Sequence, residues 1–130
     1  MRRICAGLAL TAAIAASAGC GSRAVEQQPS IRILGTDVVG SAVIVKVKIV
    51  GWRMSRPDQG PVPRPRTGQW QIFVDNRYAG FSYDRTWGTI NGVAPGNYHL
   101  WVALARTDYS LVWPLIRSRS VLVRVGQPGY

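Results

Sequence analysis

Histidine occurs once in these 130 residues, at His99, and cysteine twice, at Cys5 and Cys20. Both cysteines fall in the first twenty residues, so no disulfide staples the remainder of the chain. A multi-histidine metal site, a Cys-His pair and a Ser-His-Asp triad all lack their parts. His99, Met54 and Cys20 are scattered donors for a metal carrier, and no cofactor is implied. Acidic residues are also few, six against sixteen Lys and Arg. Asp75, Asp84 and Asp108 are the carboxylates on which glycoside chemistry would have to draw, but no spacing singles out a pair, and aspartates at such positions ordinarily serve turns. The reading is therefore non-catalytic, with a weak hydrolase or metal carrier as the remote alternative.

A long apolar run is missing as well. Ile4 to Ala18 is apolar but too short to span a bilayer comfortably, and it follows basic Arg2 and Arg3, the layout of an export signal. It ends in Ser17-Ala18-Gly19-Cys20. This resembles the lipobox of bacterial lipoproteins, with Ser17 where that family usually has Leu. The resemblance implies removal of residues 1–19, diacylation of Cys20 and a membrane anchor of two acyl chains, enough for stable attachment. The alternative is an ordinary secretory site, Ala16-Ser17-Ala18, releasing Gly19 and a freely secreted protein. Residues 20–30, polar and unpatterned after Ser22, read as a tether. Residues 126–130 read as a tail.

What is plentiful is strand and turn chemistry. Fourteen Gly and eight Pro among many Val, Ile and aromatic residues favour short strands joined by frequent turns. Val43, Val45, Val47 and Ile49 alternate with Ile44, Lys46, Lys48 and Val50, the period-two pattern of a strand with one buried face. Trp70, Ile72 and Val74 alternate with Gln69, Gln71 and Phe73, and Asp75-Asn76 supplies a hairpin turn leading into Tyr78 to Tyr83. From Val93 to Leu104 a Pro95-Gly96-Asn97 turn feeds a strand expected to be central. Tyr98, Leu100, Val102 and Leu104 face one way; His99, Trp101, Ala103 and Ala105 face the other. With strands at Ile31 to Val39, Thr86 to Val93 and Ser120 to Val125, the count is about seven. Ala105 to Ser118 is expected to be a loop.

That pattern predicts an all-β fold, an immunoglobulin-like antiparallel β-sandwich over residues 31–125. It is similar to immunoglobulin-like and fibronectin type III-like domains in two details. Trp70 falls where such domains bury a tryptophan on the third strand, and Tyr98 where a tyrosine corner opens the penultimate one. A narrower resemblance joins Gly68-Gln69-Trp70-Gln71, Pro95-Gly96-Asn97-Tyr98 and Asp108-Tyr109 to a group of uncharacterised small bacterial envelope domains. Those read Gly-His-x-His, Pro-Gly-x-His and Asp-His. If such histidines bind metal, this chain, with Gln69, Gln71, Tyr98 and Tyr109 in their places, lacks the ligands.

Two surfaces are candidates for binding. Without Arg2 and Arg3 the chain carries fourteen basic and six acidic side chains, a net +8. The segment Gly51 to Gly68 holds Arg53, Arg56, Arg64 and Arg66 between prolines, either as an arm for anionic lipid or wall polymer or as a solvated connector. In an immunoglobulin-like arrangement the third, sixth and seventh strands are neighbours, so Phe73, His99, Trp101, Leu122 and Arg124 share an outer face. Phe73, Trp101 and Leu122 make a docking patch for an envelope protein, or for a glycan ring stacked on Trp101; alternatively a long loop covers them and makes a second small core. An export signal argues against nucleic acid as a partner. The function expected is that of an exported, membrane-anchored binding or adaptor module; the alternative is a structural envelope domain resting on anionic lipid or wall polymer.

Overall fold

The computed structural model describes residues 27–56 and 64–126. The leader, Cys20, most of the tether, the middle of the basic segment and the tail lie outside the described residues.

Every element described is a strand: β1 (Ser30–Val39), β2 (Ala42–Val50), β3 (Arg53–Met54), β4 (Thr67–Val74), β5 (Arg77–Ser82), β6 (Trp87–Ile90), β7 (Gly96–Arg106) and β8 (Val121–Val125). One sheet has the order β1-β2-β6. In the other, β7 lies between β4 and β8, and β4 carries β3 and β5 on its far edge. Apart from the short parallel β3/β4 contact every pairing is antiparallel. With β3 set aside, this is the immunoglobulin-like arrangement of three strands facing four. β7, expected to be central, shares the interior of its sheet with β4.

The alternations in the sequence produce the core directly. Val43, Val45, Val47 and Ile49 of β2 meet Trp70 and Ile72 of β4, Leu100, Val102 and Leu104 of β7, and Val123 and Val125 of β8 in one buried cluster. Trp70 is fully buried at its centre, and its indole nitrogen donates to the carbonyl of Asp84 at 2.7 Å. The opposite sheet makes room for the ring with Gly88, where a Cβ would come within 2.4 Å of the Trp70 six-membered ring. No side chain fits between β6 and that ring.

Short turns close one end of the sandwich. Asp75 and Asn76 both take positive φ, 49° and 65°, in a two-residue hairpin between Val74 and Arg77, the geometry that matches strand twist. The Asp75 carboxylate accepts the amide of His99 at 2.8 Å, and the Asp75 amide donates to the His99 carbonyl. Tyr98 donates its hydroxyl to the Ala94 carbonyl at 2.5 Å, the tyrosine corner in full.

Two segments depart from expectation. β7 does not end near Leu104 but runs to Arg106, paired with Gly68 of β4, and residues 111–118, expected as a plain loop, add bridges along its other edge. Ala105 bridges Leu111, Ala103 bridges Arg117, and Ser118 donates to the Val102 carbonyl. Gln69 and Gln71 face outward from the sheet, yet both are buried. The turn after β7 folds back over them: Gln71 donates its amide to the Tyr109 carbonyl, and the Tyr109 ring meets Phe81 edge-on at 5.4 Å.

Candidate functional site

At the end opposite the short turns, two of the three connections, β2 to β4 and β7 to β8, are long. β2 to β4, β5 to β6 and β7 to β8 all cross there, and the chain arrives there as well, at Gln27 to Pro29. In immunoglobulin variable domains the loops in these positions form the binding end.

Here that end is arginine-rich. Arg53, Arg64, Arg66 and Arg85 line a cleft of about 700 Å³ with Trp52 and Thr67. A second cleft, about 340 Å³, shares Trp52, Arg64 and Arg66 and adds Arg106, Val112 and Ile116. Five guanidinium groups thus surround two adjoining clefts, and among the described residues no Asp or Glu lines either. Arginine stays charged at any physiological pH, so the end is a fixed concentration of positive charge.

The backbone positions these groups. Arg85 sits in the short β5–β6 turn, whose shape Asp84 sets by accepting the amides of Thr86 at 2.8 Å and Trp87 at 2.9 Å. Those amides hold the Asp84 carboxyl below its ordinary pKa by favouring the charged form. From that turn Arg85 donates to the carbonyls of Trp52 at 2.8 Å and Ile49 at 3.2 Å, tying β6 to the end of β2. Arg66 takes a positive φ of 53° and donates to the Gln27 carbonyl at 2.8 Å. The guanidiniums of Arg53 and Arg64 have no hydrogen-bond partner among the described residues. Trp52, only 6% exposed, contributes a buried indole N–H that likewise has no acceptor among them.

Of the four arginines singled out in the basic segment, Arg53, Arg64 and Arg66 come together. Arg56 does not. It lines a separate cleft with Met54, Ser55, Tyr83 and Asp84, its guanidinium 5.8 Å from the Tyr83 ring. Arg85 and Arg106 join the group although sequence reasoning passed over both. Each is a single basic residue near a turn, and only the three-dimensional crossing of the loops brings them to the clefts.

The five outer-face residues do share a face. Phe73 pairs across the sheet with Trp101, His99 with Leu122, and Asn97 with Arg124. Trp101, however, is covered, only 7% exposed. Phe73 stacks parallel to it with centroids 4.2 Å apart, and the Arg117 guanidinium lies 3.9 Å from the same ring. Two groups that close to one ring must occupy its two faces, so no sugar can stack there. The indole N–H is also taken, by Asn76 Oδ1 at 3.0 Å. The patch expected around Trp101 is thus a small second core at its centre, and Leu122, 65% exposed, remains beside His99 and Arg124 as its open margin.

The positions that carried the narrower resemblance divide. Gln69, Gln71 and Tyr109 lie on the outer side of the sheet, whereas Tyr98 serves the tyrosine corner. The Gln69 amide is fully buried with no hydrogen-bond partner among the described residues. The three aspartates are each engaged in turns: Asp75 with His99, Asp84 with Thr86 and Trp87, and Asp108 with Ser110, whose hydroxyl and amide keep the Asp108 carboxyl low in pKa. Among the described residues no three His, Cys, Asp or Glu side chains are placed to hold a metal ion.

Comparison with known proteins adds no relative. No protein-family model, curated protein or solved structure matches this chain.

Proposed function

We propose that this protein is an exported, lipid-anchored and non-catalytic envelope module that binds phosphate-bearing polyanions through the arginine-lined end of its β-sandwich. The observation that carries the reading is the convergence of Arg53, Arg64, Arg66, Arg85 and Arg106 on two clefts that no carboxylate lines among the described residues. Guanidinium groups recognise phosphate oxygens in pairs of parallel hydrogen bonds, and the open geometry suits a surface or polymer better than a small enclosed ligand. A partner-docking role on the outer face is left with the strip of His99, Leu122 and Arg124, because Trp101 is covered.

Anchoring is tested by the intact mass and detergent partition of the mature protein beside Cys20→Ala. A diacylglycerol-sized increment lost in the variant supports the anchor; a mass beginning at Gly19 with all protein in the aqueous phase means a secreted domain. Polyanion binding is tested on the Cys20→Ala chain with anionic vesicles and with a polyol-phosphate polymer. Arg53→Gln/Arg64→Gln is expected to weaken binding roughly thirtyfold, about fivefold for each charge near an anionic surface. Added salt is expected to weaken it steeply in the unsubstituted chain. Equal binding by the double variant would overturn the assignment of the site.

A further inference from the structure

The chain reaches the sandwich at the same end as the arginines, and it is fastened there. Arg66 donates to the Gln27 carbonyl at 2.8 Å. Gly51, at φ +69°, lets Gln27 to Pro29 cross directly over it; a Cβ on Gly51 would lie 2.6 Å from the Gln27 carbonyl oxygen and 3.1 Å from that of Gln28. The point where the described chain begins is therefore part of the cleft wall, since Gln27 lines the larger cleft.

Six residues separate Cys20 from Gln27. Even fully extended, the seven Cα steps between them reach at most about 25 Å. An acyl anchor on Cys20 consequently keeps the arginine end next to the bilayer surface, whatever path the intervening residues take. The short-turn end, with Gly40, Asn76 and Gly92, lies at the far end of the strands.

We infer that the arginine-lined end is a headgroup-binding face, which takes the phosphodiester oxygens of anionic phospholipids in the same membrane leaflet that holds the anchor and so orients the sandwich on that membrane. The inference rests on the anchored reading given above and names its ligand. Two features argue for lipid over a wall polymer: the short reach of the tether and the location of the clefts at its root. Val112 and Ile116, in the smaller cleft beside Arg64 and Arg106, add apolar side chains to the guanidiniums, the mixed chemistry of a headgroup and its glycerol backbone.

The test uses the protein in the form in which cells process it, bound to vesicles of phosphatidylglycerol with phosphatidylcholine or of phosphatidylcholine alone, with a nitroxide on a trace headgroup. Paramagnetic broadening of backbone amides is read by NMR. In the anionic vesicles, broadening at Arg53, Thr67 and Arg106 is expected to exceed that at Asn76 and Gly92 several-fold. That difference is expected to shrink, in phosphatidylcholine or in Arg53→Gln/Arg64→Gln, to what the tether alone imposes. Equal broadening of both ends in anionic vesicles would overturn the inference even if the mass establishes the anchor. Loss of the oriented pattern on adding a soluble polyol-phosphate polymer would overturn the lipid assignment and leave polyanion binding standing. A mass showing no lipid on Cys20, with the oriented pattern intact, would refute the anchor alone.

Discussion

The two ends of this sandwich are built by opposite means. At the turn end, connections are short and nearly every polar group is answered locally: Asp75 by His99, Tyr98 by Ala94, Asn76 by Trp101 and the Val93 amide by Ser41. At the loop end, two long connections and the short β5–β6 turn bring five arginines together, and Arg53 and Arg64 remain without hydrogen-bond partners among the described residues. Arg85 and Arg66 tie backbone segments together there, but the mutual repulsion of like charges opposes folding weakly in water. The difference separates two tasks. One end holds the fold, and the other presents charge at the expense of some stability.

The largest test concerns what both ends share. Trp70 spans the core, and its ring rests on Gly88 while its N–H holds the Asp84 carbonyl at the loop end. Trp70→Ala is expected to cost about 3–5 kcal/mol in denaturant unfolding. Loss of a single cooperative transition, with the loop end melting first, would show that the ends are less coupled than the continuous core implies. A smaller effect isolates the turn end. Tyr98→Phe keeps the ring packed and removes only the hydroxyl bound to Ala94, at an expected cost of about 0.5–1.5 kcal/mol and with polyanion binding unchanged. Arg53→Gln/Arg64→Gln should behave in reverse, leaving stability within about 0.5 kcal/mol while binding falls. If Tyr98→Phe weakened binding as much as the arginine pair did, the division between the ends would fail.

The turn end was legible in the sequence because its signals are local. Asp75-Asn76 tolerates positive φ, Pro95-Gly96-Asn97 breaks the chain, and Tyr98 stands at a fixed offset from its acceptor, so each signal is complete within a few residues even though Asp75 and Asn76 find their hydrogen-bond partners 24 and 25 residues on. The period-two alternation of β2, β4, β7 and β8 carried the strand assignments for the same reason. The loop end depends on distance in sequence. Arg85 meets Trp52 across 33 residues, and Arg66 meets Gln27 across 39. Alternation could place Trp101 on the outer side but could not say that Phe73 and Arg117 would close over it. That outcome depends on residues 111–118 extending the ladder beside β7, in a segment whose Pro114 and mixed composition hide any period. Gln69 and Gln71 illustrate the same limit: polar residues at outward positions read as solvated, and the fold of the Thr107–Ser110 turn buries them.

The smallest expected effect sits where the two ends differ in chemistry, at Asp84, a carboxylate that shapes the arginine end from outside its clefts. Asp84 accepts the Thr86 and Trp87 amides, and these bonds lower its pKa in the folded protein. A carboxyl group whose folded pKa lies below its unfolded value, about 3.9, adds stability that is complete above that value and is lost as pH falls through the folded pKa. Asp84 is exposed, so the loss is small and local. Titration below about pH 4 is expected to raise hydrogen exchange at Thr86 and Trp87 and to free Arg85 from the Trp52 and Ile49 carbonyls while the Asn76 hairpin stays protected. Asp84→Asn should show the loosened turn already at neutral pH and flatten its acid dependence. A uniform rise in exchange across both ends would instead mean that acid acts on the whole sandwich, and the turn would then be no separate support for the arginine it carries.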